Sequence, residues 1–130
     1  VTCLQPLNFE QEYVFRPHRH GVVANIVKAP VHSEFAARYI ELTNTVDENN
    51  RDWEKSFRGL QPIVTFLGLQ HYIQPEAVLG MDEDKYWKDF RKRGNSPAPE
   101  QRAIHHCCAM NEPYEEGSFY HQLLNQYKLL

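Results

Sequence analysis

Eight prolines, at positions 6, 17, 30, 62, 75, 97, 99 and 113, constrain this 130-residue chain more than any other feature. Proline lacks an N–H, fixes φ, and drives the residue before it away from the α region. Recurring along the whole chain, the prolines tend to end or begin elements, so the units between them are short. No internal repeat or low-complexity tract appears. A chain of this length fits one domain and buries enough apolar surface to fold unaided. Its 42% hydrophobic and 12% aromatic content is that of a globular protein.

Between the prolines the patterning is largely helical. In "SEFAARYIELTNTV" Ser33 suits an N-cap and Glu34 the first turn, while Phe35, Ala36, Tyr39, Ile40, Leu42 and Val46 share one face. "SFYHQLLNQYKLL" repeats the pattern, with Ser118 as cap and Phe119, Tyr120, Leu123, Leu124, Tyr127 and Leu130 on its face. "DEDKYWKDFRKRG" has acids first, bases last and a closing glycine, as a helix dipole favours, with Tyr86, Trp87 and Phe90 as its aromatic face. A narrower stripe of Trp53, Phe57 and Leu60 marks "NRDWEKSFRGL". Two segments, Gly21 to Pro30 and Pro62 to Leu69, are apolar on all sides, and periodicity leaves strand and helix open for both. Pro62 at a first helical position favours helix in the second.

These patterns predict a mainly α fold: an irregular array of four to six short amphipathic helices with extended N-terminal and interhelical arms. Within a single domain over 1–130, the arm covers 1–20, the helical core 21–94, a Pro-rich connection 95–101 and C-terminal helices 102–130. The expected core draws on Phe35, Tyr39, Ile40, Leu42, Trp53, Phe57, Ile63, Phe66, Leu67, Ile104, Leu123 and Leu124.

"AIHHCCAM", Ala103 to Met110, gathers side chains that bind zinc or act as nucleophiles. Pro99 can open a helix reaching about Asn111, on which Ile104, Cys107 and Cys108 face inward and His105 and His106 outward. Four consecutive helical residues span most of a turn and cannot converge on one ion. Zinc patterns pair ligands two to four residues apart. Only His105 and Cys108 could share an ion, with His18 and His20 of the arm completing a set of four. The favoured reading is instead buried, inert cysteines with no cofactor. A nucleophilic cysteine needs a positioned histidine and a lowered pKa, and an apolar face works against both.

"RPHRHG", with Arg16, His18, Arg19 and His20, suits an anion or an acidic partner surface, or else a solvated loop. "KYWKDFRKRG" mixes aromatics and bases as single-strand nucleic-acid binders do, yet the wheel parts Tyr86, Trp87 and Phe90 from Lys85, Lys88 and Lys92. A net charge of -3 argues against bulk nucleic-acid binding. The longest apolar run, Ile63 to Leu69, falls far short of the roughly 20 residues of a membrane span, which leaves peripheral membrane contact as the open form. Three cysteines, two of them adjacent, make a poor disulfide framework and point to a reducing, intracellular setting. No glycine-rich phosphate loop, HExxH or GxSxG motif is present.

The expectation is therefore a non-catalytic interaction protein, an accessory subunit of a larger intracellular complex whose partners are other protein subunits. Arg16, His18, Arg19, His20, Tyr86, Trp87 and Phe90 are its candidate contact residues, because tyrosine, tryptophan and arginine anchor interfaces. The alternative is a zinc-binding module or metal-dependent enzyme using His18, His20, His105 and Cys108, with Glu115 as a base. A lesser alternative is a binder of nucleic acid or lipid headgroups through Arg16, Arg19, Lys85, Lys88 and Lys92.

Overall fold

The computed structural model describes residues 1–19, 21–45, 59–106 and 111–129. The stripe of Trp53 and Phe57, Val46, His20, Cys107, Cys108, Met110 and Leu130 lie outside these residues. The chain divides into two compact units: a hairpin unit, Asn8–Glu76, and a terminal unit built from Val1–Leu7 together with Ala77–Leu130.

In order, the described elements are β1 (Thr2–Cys3), β2 (Val14–His18), β3 (Gly21–Lys28), α1 (Glu34–Asn44), α2 (Leu60–Phe66), α3 (Glu76–Leu79), β4 (Ala103–Ile104) and α4 (Phe119–Gln126). Three 3-10 turns, at Gln70–Tyr72, Asp84–Tyr86 and Asp89–Arg91, are interspersed. Two two-stranded sheets, β1–β4 and β2–β3, are both antiparallel. The expected mainly helical array is thus corrected: four α-helices among the described residues, two of them only four and seven residues long, share the fold with two small sheets.

The hairpin unit shows why. Residues 1–20, expected as an irregular arm, contain β2, which pairs with β3 through Phe15↔Val27, Arg16↔Val23, Pro17↔Val22 and His18↔Gly21. Between Phe15 and Arg16 the register jumps, leaving three residues of β3 as a bulge. A two-stranded sheet has only edge strands, so Pro17 is tolerated in β2 despite its missing donor. Where His18 meets Gly21, the glycine has φ +115, and a Cβ there would collide with the side chain of Gln61. Both the left-handed backbone and the close approach require glycine. The open choice for residues 22–29 resolves to strand.

The other open segment resolves to helix. Leu60 and Val64 of α2, one turn apart, are fully buried, and Pro62 sits in the first turn, where its missing N–H does no harm. Gly68, at φ +67, closes α2: its N–H donates to Thr65 O, and the Leu69 N–H donates to Val64 O. That pair of bonds is a Schellman cap. Above the hairpin, α1 begins as expected, with Ser33 Oγ accepting from the Ala36 N–H at 3.1 Å and Arg38 bonded to Glu34 at 2.8 Å. Phe15, Val22, Phe35, Leu60 and Val64 form the core, with Tyr13, Tyr39 and Tyr72 around it. The inward stripe of α1 is narrower than its wheel suggests. Phe35 is buried, while Ile40 is 58% exposed, and Phe66 of α2 is 70% exposed; both are corrected from the expected core.

In the terminal unit β1 pairs with β4 as Thr2↔Ile104 and Cys3↔Ala103, and the Leu4 N–H extends the ladder to Arg102 O. Residues 103–104 are therefore strand, which corrects the helix expected from Pro99. The single helix expected over 82–94 is two 3-10 turns, broken where Trp87 leaves helical geometry at φ −155. The break turns both Trp87 and Phe90 inward against Ile104, with Leu4, Phe119 and Leu123 packed around them. The helix α4 starts where its sequence says, with Ser118 Oγ accepting from the His121 N–H at 3.2 Å. It ends in a second Schellman pair, Lys128 N–H to Asn125 O and Leu129 N–H to Leu124 O, with Lys128 at φ 55 in place of a glycine.

Burial sets the expected stability effects. Phe35→Ala should lower unfolding free energy by about 3–5 kcal/mol in urea denaturation, and Phe66→Ala by about 0.5 kcal/mol or less. Lys128→Gly should raise it by about 0.5–1 kcal/mol, because glycine accepts the left-handed cap without a steric penalty.

Candidate interaction site

The terminal unit carries an open groove of about 370 Å³. Pro97 and Pro99 line one side, their φ angles fixed by their rings, and the Gln101 N–H closes a turn around Pro99 by donating to Ala98 O at 3.0 Å. Gln5 steadies that wall by donating from Nε2 to Pro99 O at 2.6 Å. The other side is α4, through Phe119, Leu123 and Tyr127, and Leu4 lines the groove between them. Phe119 and Leu123 are half-buried because their inner faces pack on Trp87, Phe90 and Ile104. Tyr127, one turn beyond Leu123, is 51% exposed. Glutamines 5, 101 and 126 supply polar groups but no charge. This is the chemistry of a site for uncharged, largely apolar groups.

The basic stretch Lys85–Arg93 is engaged within the unit. Arg91, buried, lays its guanidinium 3.9 Å from the ring centre of Tyr120 and donates from Nη1 to Glu112 O at 2.6 Å. Arg93 donates from its backbone N–H to Glu115 Oε2 at 2.8 Å and from Nε to Glu116 O at 2.5 Å. The Glu115 N–H returns a bond to Arg91 O at 2.8 Å. Lys88 faces Glu112 at 3.6 Å and Lys92 faces Asp89 at 3.2 Å. Lys85 sits 3.3 Å from Glu83, whose hydrogen bond raises the ammonium pKa above its usual value. The acidic run at 112–116 is thus laid along the basic one. A smaller cleft of about 280 Å³ lies where they meet, lined by Lys88, Arg91, Lys92, Glu112 and Tyr114, with both charge signs on its wall.

His106 is not a solvated side chain. Its Nε2 lies 2.8 Å from Thr2 Oγ1, and its ring meets Tyr120 edge-on at 5.6 Å. Burial, followed by nearby positive charge that includes Arg91, lowers its pKa from the usual 6.5 to about 4.

The residues expected from sequence are placed differently. Arg16 is fully buried in β2, which removes it from any anion-binding surface; His18 is half-buried at the strand end and Arg19 is exposed. Trp87 and Phe90 are core residues, 8% and 5% exposed, and are corrected from partner anchors to packing; Tyr86 is half-buried. Of the expected zinc ligands, His18 belongs to the hairpin unit and His105 to the terminal unit. The other two, His20 and Cys108, lie outside the described residues, among which no group of three His, Cys, Asp or Glu could hold a metal ion. No helix of the described residues is long and apolar enough to cross a membrane. Sequence reasoning missed the groove: it placed Phe119, Leu123 and Tyr127 on one helical face but had no signal for what they face. The chain matches no family model, no curated protein and no solved structure.

Arg91→Ala should destabilise by about 2–3 kcal/mol, since it removes a buried charged donor from the Glu112 carbonyl and the cation from the Tyr120 ring, whereas Lys88→Ala should stay within about 0.5 kcal/mol. Thermal melts of the two variants compare them directly. Because the folded His106 titrates below its unfolded value, only the unfolded chain takes up its proton between about pH 6.5 and 4. Its contribution is complete above pH 6.5 and is lost as pH falls toward 4, by about 1–2 kcal/mol after solvent screening of a half-exposed ring. Urea titrations at stepped pH should show this slope in the wild type and a flatter one in His106→Gln.

Proposed function

We propose that the protein is a non-catalytic interaction protein, an accessory subunit of a larger intracellular complex whose partners are other protein chains. The groove between the Pro97–Pro99 segment and α4 carries this reading: it is open, uncharged and bordered by Leu123 and Tyr127. A partner's apolar side chains would lose water there against a surface held by ring-restricted backbone and a capped helix. The exposed Phe66 on α2, with the Arg38 guanidinium 4.5 Å from its ring centre, offers a second aromatic contact of the kind that interfaces use. Cys3, an exposed free thiol, suits a reducing compartment.

The test is affinity purification of the full chain from its native source, beside a Tyr127→Glu variant. The expected result is a discrete set of co-purifying chains, at least one retained about tenfold less by the variant, with the two proteins melting alike. A wild-type chain that runs as a monomer with no retained partner defeats the proposal. So does stoichiometric zinc in protein purified without added metal and lost on His18→Ala, which would favour a metal-binding function.

A further inference from the structure

We draw no further inference here: the strongest candidate, the apolar groove between the Pro97–Pro99 segment and α4 of the terminal unit, belongs to the site already described, and nothing in the structure shows what covers it.

Discussion

The terminal unit depends on closing one long loop, because its short ladder joins Thr2 and Cys3 to residues 104 and 103. Bringing together chain segments about 100 residues apart costs about 4 kcal/mol in loop entropy, before the paired residues are themselves ordered. A handful of backbone hydrogen bonds, each worth about 1 kcal/mol net, cannot offset both. Apolar burial has to supply the balance. Ile104 and Ala103 are fully buried, and Ile104 joins Trp87 and Phe90 in the cluster on which Leu4, Phe119 and Leu123 pack. The groove inherits this dependence, because Leu4 lies directly after β1 and Leu123 projects from α4 beside the same cluster. Ordering at the candidate site and stability of the unit are one property.

Charge works locally in the same unit. Exposed ion pairs such as Lys88 with Glu112 contribute little in water. The buried Arg91 is different, since its guanidinium is held between an aromatic face and a carbonyl where competing water is excluded. The result is a basic stretch whose partners are mostly its own neighbours in sequence or the acidic run at 112–116. The groove between the Pro97–Pro99 segment and α4, by contrast, is lined by no charged side chain.

Parts of this were legible in the residues. Ser33 and Ser118 announce the starts of α1 and α4, because a serine before an apolar period has a local hydrogen bond to make. At Leu60–Phe66 the pattern left strand and helix open, and Pro62 favoured the helix that is found. The hairpin was not legible, since proline is rare inside strands and the pairing of Val14–His18 with an all-apolar segment leaves no alternation to read. Ile40 was assigned to the core by helical period alone, and Phe66 because its whole segment is apolar. A helix of seven residues buries Leu60 and Val64 against a small hairpin, packs Ile63 at the edge of that core and leaves Phe66 on the outside. Around Trp87 a good helical pattern lost to tertiary packing, which placed two aromatic rings in one cluster at the expense of a continuous helix. The groove was least visible of all, because its walls come from residues 4, 97–99 and 119–127, whose meeting is set by a distant strand pair.

The split make-up of the terminal unit bears on how the chain is born at the ribosome. Residues 8–76 form a continuous unit, so the hairpin and its two helices can assemble while synthesis is still under way. Thr2 and Cys3 emerge about 100 residues ahead of Ala103 and Ile104, the strand they join. At typical elongation speeds that is an interval on the order of 5–20 s. Throughout it, a strand-forming segment and the free Cys3 thiol are available to other nascent chains and to chaperones.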